Sequence, residues 1–586
     1  MAIQSNFPAI KPSLLLDFAN VKQLDPRITY TRASTATYYD GVTTAMAEQN
    51  LFLQSQTFSN VNWSQNDATR TDGVTDPSGG TTAATITKTA NNSLSFRQNV
   101  SLNTQNATFT LSFYLKGTGT VSIRGDNFVN QALFQQITLT ASWVRYSFTF
   151  TFNGTGSTTT GAFGIGMTAS DTATSFDVSF AQLEQRSALT AYTATTTQAI
   201  TNYIPVLQTA ASGVARFDHN PTTDESLGLL IEESRTNLLT YSDDLSNAAW
   251  NKSGVTALSN VIVAPDGTLT GDKTILDSAV VSSSGILQQQ ITKAASSITY
   301  TASFYAKIGE FNSLRVFIRD PSNSANFIQT YFNVALGTVA SAATSGGTFS
   351  GGSSSITAVG NGWYRCLTTG TTGTETGVTL RILPYTDGTT SVTGNGYSGL
   401  YIWGAQLEAG AFATSYIPTV ASQVTRAADA ASMTGTNFSS WYNQGEGTFY
   451  VEAQVIGQPS GTNYHFFTAD DTTNTNYIQQ RIQSNTLRCQ FVGVASGATQ
   501  WVIPETTSLV VGSFAKSATS YAFNDIKVAV NGLTPLTDTV AIIPVLSRLV
   551  IGNGTGSGQQ ALNGCIKKIA YYPMRVTNVQ LQALTS

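Results

Sequence analysis

The chain has 586 residues, of which 41% are hydrophobic and only 11% charged, and 30 Lys+Arg against 34 Asp+Glu leave a net charge of −4. This balance supplies no basic field for a phosphate backbone, which argues against nucleic-acid binding, while 30 Phe, 23 Tyr and 7 Trp carry too much apolar surface for a disordered chain. No run reaches the ~20 apolar residues of a spanning helix and no secretory signal is recognisable, so no membrane insertion is expected.

Residues 1–49 carry Leu14-Leu15-Leu16 with Phe18, Tyr30, Tyr38 and Tyr39. They are too few for an independent sandwich, so the segment must bury itself against its own connector near Leu229 or against a neighbouring chain. Residues 50–194 read as a first β module. From 108 to 116, Phe109, Leu111, Phe113 and Leu115 alternate with Thr110, Ser112 and Tyr114; from 144 to 152, Tyr146, Phe148 and Phe150 alternate with Arg145, Ser147 and Thr149. Period two with one polar face predicts antiparallel strands. Residues 195–236 read as a structured connector with strand-like runs at 214–218 and 227–232. A second module covers 237–419 and a third unit 420–586, with strands at 449–453 and 548–552. A short C-terminal helix follows, in which Thr577 caps a run carrying Val579, Leu581 and Leu584. Turn dipeptides such as Asp72-Gly73, Asn153-Gly154, Asp387-Gly388, Asn531-Gly532 and Asn553-Gly554 punctuate the whole length. The predicted class is all-β, with tandem antiparallel β-sandwich or jelly-roll domains.

An internal repeat organises the first two modules. Asn50-Leu51, Phe58, Ser59, Asn60 and Trp63 recur as Asn237-Leu238, Leu245, Ser246, Asn247 and Trp250 at an offset of 187. Phe113-Tyr114-Leu115-Lys116 recurs as Phe304-Tyr305-Ala306-Lys307 at 191, and Trp143-Val144-Arg145 as Trp363-Tyr364-Arg365 at 220. Ala181-Gln182-Leu183-Glu184 with Tyr192 recurs as Ala405-Gln406-Leu407-Glu408 with Tyr416 at 224. Offsets that only grow describe one module present twice, with insertions in the second copy. The largest step falls between Lys307 and Trp363, where 346–355 reads as a Gly/Ser-rich loop on an extra hairpin.

Chemistry is sparse. His219 and His465 are the only histidines, too few for a His-based metal cluster and marginal for a Ser-His-Asp triad. No phosphate loop, His-Glu-x-x-His or Gly-x-Ser-x-Gly motif occurs. No catalytic residue, metal or cofactor is expected, although paired carboxylates acting on glycosides stand as an alternative. Cys366, Cys489 and Cys565 read as free thiols, in keeping with assembly in a reducing cytoplasm. Asp470-Asp471 near His465 reads as a cation site or, better, as a polar hairpin tip, and Arg124-Gly125-Asp126 as ordinary strand. Trp63, Trp250, Trp143 and Trp363 recur at matched positions, as core residues do. The carbohydrate-binding candidates are Tyr385 and Tyr397, on a turn-rich stretch that the first module lacks, because an aromatic face offers apolar area to a sugar ring.

Several segments also resemble virion appendage proteins of tailed bacteriophages: Pro12-Ser13-Leu14-Leu15-Leu16-Asp17-Phe18, the run from Asp25-Pro26-Arg27 through Thr31-Arg32-Ala33-Ser34 to Tyr38, Arg216-Phe217-Asp218-His219, Gly228-Leu229-Leu230-Ile231-Glu232-Glu233 with Arg235-Thr236-Asn237, and Trp403-Gly404-Ala405-Gln406-Leu407-Glu408. In that family the Thr-Arg-Ala-Ser segment commonly runs almost directly into Arg-Phe-Asp-His, so residues 50–194 look like an insertion. The resemblance implies carbohydrate-binding jelly rolls followed by a laminin-G or concanavalin-like sandwich. It implies a structural virion protein, localised on the virion, whose residues 1–49 contact other virion proteins. A tail fibre or spike binding host-surface glycans without cleaving them is favoured. The alternatives are a capsid decoration or head fibre protein and a polysaccharide-degrading spike. A homo-oligomer, with a trimer favoured, is likewise implied by the resemblance.

Overall fold

The computed structural model describes residues 11–153, 159–458, 461–555 and 560–586. About 53% of the chain is strand and 3% helix, which makes it the all-β protein the patterning predicts. No helix among the described residues is long and apolar enough to cross a membrane.

The terminal sandwich is assembled from three stretches of chain. One sheet runs Phe217–His219, Ser226–Ile231, Gly564–Tyr572, Glu446–Val455, Ala515–Ala522, Asp525–Val530, Leu536–Asp538. Leu14–Asp17 pairs with the same edge of Gly564–Tyr572 that receives Leu229–Ile231 further along. The facing sheet runs Thr29–Thr31, Ala430–Thr434, Arg548–Ile551, Tyr464–Asp470, Tyr477–Ile482, Arg488–Ala495, Ala498–Ser508. Leu14, Leu16, Phe18 and Ile28 therefore share a core with Phe449, Phe467, Ile569 and Tyr571. Of the segment 1–49 expected to contact a virion, the described residues up to Thr31 are built into this sandwich of their own chain, because edge strands and apolar side chains find partners there. Thr577 accepts a hydrogen bond from the Gln580 amide at 3.3 Å and Gln580 returns one, a capping box that starts the helix Asn578–Thr585. Leu581 and Leu584 are buried, and Val579 is exposed.

Where the sandwich meets the rest of the chain lies a buried ion network. Asp429 receives Arg32 at 3.1 Å and Arg216 at 2.6 Å, Glu232 receives Arg216 at 2.7 Å, and Arg426 sits 3.6 Å from Glu232. Tyr30 donates to Asp429 and the Ser415 hydroxyl to Glu232. All five charged side chains are essentially solvent-free. Arg32, Arg216 and Glu232 come from three separate stretches of the chain, and Arg426 and Asp429 from a fourth.

Two modules hang from this junction. Ala36–Asn50 and Ile200–Ala210 form a two-stranded ribbon whose far end pairs Asn50 with Ile200, and the first module occupies the chain between those two residues. Its sheets run Ala132–Thr138, Thr120–Asp126, Gly161–Met167, Asn92–Val100, Trp63–Gln65 and Val144–Thr151, Thr108–Gly117, Ser175–Glu184, Ala83–Lys88, Ala68–Val74. The second module repeats this order, each of its two sheets gaining one edge strand. The expected extra hairpin is a corner: Thr338–Gly346 pairs with Phe327–Asn333 in one sheet, and Ser350–Gly360 pairs with Trp363–Thr371 in the other. Phe109, Leu111, Phe113 and Leu115 are fully buried, but the face expected to be wet is covered too, with Thr110 and Ser112 also solvent-free. The return segment, the stretch that follows Ser175–Glu184, covers Thr110, which donates to the Arg186 carbonyl, while Ser112 accepts from Arg145 of the neighbouring strand Val144–Thr151. On the edge strand Val144–Thr151 only the far end is core, and Val144 is exposed. Of the turn dipeptides, Asn531-Gly532 and Asp387-Gly388 hold positive φ at both positions, the backbone a tight hairpin needs. At Asn553-Gly554 the positive φ belongs to Gly552 instead, and Gly154 lies outside the described residues.

Burial by itself raises a carboxyl, but Arg426 and Arg216 outweigh it and hold Glu232 down at about 2, against an ordinary 4.5. With the folded value depressed, its stabilisation is complete above pH 4.5 and is lost as pH falls through about 2. Glu232→Gln should therefore cost ~3–5 kcal/mol near neutrality and far less near pH 2; a denaturation difference that stays constant with pH would refute the network. Excising 51–199 and joining the ribbon through a tight turn should leave a chain that unfolds cooperatively, and aggregation of that chain would show that the first module is needed for the junction to form.

Candidate functional site

The repeated residues first build a scaffold. The Asn50 amide donates to the carbonyls of Ala181 and Thr193 at 2.9 and 2.8 Å, and Asn237 donates to those of Ala405 and Ile417 at 3.1 and 2.9 Å. Glu184 accepts from the Thr190 amide and hydroxyl, as Glu408 does from Thr414. Trp63 and Trp250 are buried, their indole N–H groups bonded to the carbonyls of Gln54 and Tyr241. These acids and amides pin the return segment onto the sandwich, so the repeat motif is structural.

The same scaffold presents one outer face in each module. In the first, Arg145 donates to the Thr190 carbonyl at 2.7 Å and the Ser112 hydroxyl at 3.1 Å, and Tyr192 shares a 2.6 Å hydrogen bond with Ser55. In the second, Arg365 donates to Thr414 and Ser303, and Tyr416 shares one with Ser242. The second module's face is sealed. Trp403 packs on Tyr305 and Tyr416, and the ribbon residues Tyr39, Ile204 and Leu207 join Trp363 in a small core above them. In the first module the equivalent face meets the second module instead and leaves a cleft.

That cleft encloses about 230 Å³ between Tyr114, Arg145 and Tyr192 on one wall and Lys273, Glu310, Tyr397 and Tyr401 on the other. Tyr397 meets Tyr114 edge-on with ring centres 5.9 Å apart. The Lys273 ammonium lies 4.4 Å from the Tyr397 ring centre and 2.8 and 3.0 Å from the two Glu310 oxygens. Burial lowers the Lys273 pKa, Glu310 opposes this, and Arg145 adds to it. Burial, joined by Tyr114 and Glu310, raises the Tyr397 hydroxyl far above its ordinary value, so it remains a neutral hydrogen-bonding group. Beneath the cleft, Phe180 stacks on Tyr192 at 4.8 Å with φ at +48°, where its repeat counterpart is Gly404 at +63°. A bulky side chain in the left-handed region costs about 1–2 kcal/mol, and such strain gathers at functional sites.

The two tyrosines singled out in the sequence are separated. Tyr397 lines the cleft, whereas Tyr385 is buried, edge-on to Tyr331 at 5.4 Å. Tyr114 and Arg145 are legible in the sequence only as repeat landmarks. For Lys273 the available signal was a lysine in the middle of the buried strand Gly271–Leu276. Asp470 pairs with Arg548 at 2.7 Å and Asp471 accepts from Thr473, a hairpin tip, while burial brings the His465 pKa down to about 4. Arg124-Gly125-Asp126 lies in the strand Thr120–Asp126. A larger concavity of about 720 Å³ at the terminal sandwich, beside Phe438, Tyr442 and Leu546, has no charged residue in its lining.

No family model matches the chain, and no curated protein matches it. Among solved structures it is similar to the CBM40 of the Ruminococcus gnavus IT-sialidase bound to α2,3-sialyllactose, at 10% identity and TM-score 0.23, over 26% of this chain and 88% of that one. It is similar to domain 4 of AbnA, a GH43 extracellular arabinanase from Geobacillus stearothermophilus in complex with arabinotriose, at 12% identity and TM-score 0.23, over 30% and 81%. A further match is the heptameric SAP-like pentraxin from Limulus polyphemus, at 12% identity and TM-score 0.20, over 24% and 70%.

Trp143 corrects the expectation of four core tryptophans. Trp363 is fully buried under the ribbon, but Trp143 is half-exposed, with Lys116 5.4 Å from its ring, because nothing equivalent to the ribbon covers it. Trp363→Ala should cost ~3–5 kcal/mol and Trp143→Ala well under half of that. Equal losses in denaturant unfolding would refute the unequal covering of the two faces.

Proposed function

We propose that this chain is a non-catalytic glycan-binding protein whose sugar subsite is the cleft between its two repeated modules. The observation that carries the reading is the convergence of Tyr114, Tyr397 and Tyr401 with Arg145, Lys273 and Glu310 around one enclosed space. Aromatic faces supply apolar area for the ring carbons of a pyranose, and the charged and hydroxyl groups supply oriented bonds to its oxygens. A cleft of about 230 Å³, below the ~300–1,000 Å³ of drug-sized sites, suits one sugar unit or a chain end. Among the described residues Glu310 is the only carboxylate in its lining, and it is tied to Lys273, whereas glycoside cleavage needs two. The setting we propose is a tailed-bacteriophage virion, as a tail fibre or spike present in several copies, a trimer on the family resemblance. Multiple copies would raise a weak single-site affinity through avidity.

Purified protein should retain oligosaccharides on a glycan array and release no reducing ends from them. Tyr397→Ala should weaken binding at least about tenfold, the loss of an aromatic anchor, while Tyr397→Phe retains most of it. Absence of any retained glycan, or release of reducing ends, would overturn this function.

A further inference from the structure

We infer that the ligand of the intermodular cleft is acidic, a pyranose bearing a carboxylate, with Arg145 and Lys273 flanking that group. This rests on the glycan-binding reading of the cleft and adds its charge.

The argument begins with the cations. Arg145 stands on the first module's wall and Lys273 on the second's, so the two modules bring like charges toward one space. Lys273 has an acid partner in Glu310. Among the described residues no carboxylate lies within ion-pair distance of Arg145: its guanidinium donates only to the neutral Thr190 carbonyl and Ser112 hydroxyl, and its Nε is buried without a partner. Half-buried cations are ordinarily paired, because lost hydration must be replaced. The repeat counterpart of Arg145, Arg365, has the same two neutral partners, the Thr414 carbonyl and the Ser303 hydroxyl, but beneath a covered face, whereas Arg145, 5.8 Å from the Tyr114 ring centre, lines a cleft that a ligand can enter. The cleft thus carries two cations and one carboxylate, in a chain whose net charge is −4. One further carboxylate would balance it, and a guanidinium is well suited to bind that group.

The hydrocarbon side of a pyranose would lie against the tyrosine rings that line the cleft, Tyr114, Tyr397 and Tyr401. A free inorganic anion would use the cations and none of the aromatic surface. A neutral sugar would leave the charge on Arg145 uncompensated.

The test is calorimetric titration of the full chain with uronic-acid oligosaccharides and with the same oligosaccharides after carboxyl reduction. The acidic series should bind roughly 10- to 100-fold more tightly, the margin of a charged hydrogen-bonded contact, and the margin should shrink as salt is raised. Arg145→Gln should erase the margin. Because Arg145 also bonds to its own scaffold, Glu310→Gln is the second variant: with the competing carboxylate neutralised it should tighten acidic ligands several-fold relative to reduced ones. Equal binding of acidic and reduced oligosaccharides would overturn the acidic specificity while leaving glycan binding intact. Failure of both series to bind, with a positive glycan array elsewhere on the molecule, would overturn the assignment to this cleft. Weaker acidic binding in Glu310→Gln would also count against it.

Discussion

Five ionised side chains without solvent contact define where everything else in this protein can be. Asp429 and Glu232 are surrounded by Arg32, Arg216 and Arg426, and the carboxylates reach three of the chain's distant parts at once. Removing such charges from water costs several kcal/mol each, and only complete mutual pairing offsets this. The network therefore needs residues 30–32, 216, 232 and 426–429 in one place. Its backbone bonds reinforce the geometry: the Glu232 amide donates to Asp429, and Arg216 donates to the Thr37 carbonyl at the root of the ribbon. The ribbon, the second module and the terminal sandwich all leave from this point.

Duplication then gives the same outer face two fates. The face built on Tyr305, Arg365 and Tyr416 is closed by the ribbon and Trp403, with Gly404 permitting a close backbone turn against both tyrosines. The face built on Tyr114, Arg145 and Tyr192 has Phe180 at the glycine's position, and its neighbour is the second module with Lys273, Glu310 and Tyr397. Two convex bodies meeting through a few rings cannot seal as a ribbon does, so a cleft persists. Sparse contact is what an interdomain interface within a chain ordinarily offers, and here Tyr114 and Phe180 against Tyr397 and an Asn395 bond to the Ser78 carbonyl are among its ties.

The junction draws its members from widely separated parts of the chain. Thr-Arg-Ala-Ser, Arg-Phe-Asp-His and the Glu232-Glu233 segment are far apart in the chain, yet each supplies a member of the junction. A motif held together by a buried ion network tolerates an insertion of any size between its parts, provided the insertion leaves and returns at adjacent points, as Asn50 and Ile200 do.

By itself the sequence determined what local patterning can determine. Alternation of Phe109, Leu111, Phe113 and Leu115 specifies a strand and positive-φ residues such as Asn531-Gly532 specify turns, because each depends on neighbours a few residues away, and the matched landmarks specify a duplicated sandwich because two copies of one pattern fold alike. The tertiary structure alone decided the rest. Leu14–Asp17 joins the last long strand, 547 residues or more along the chain from it; Trp143 and Trp363 occupy matched positions yet differ in burial; Tyr385 is packed away while Tyr397 lines a cleft with Tyr114. Those outcomes depend on which surface covers which, and that is set by how whole bodies are brought together at the junction, a relation that no periodicity or spacing within one segment encodes.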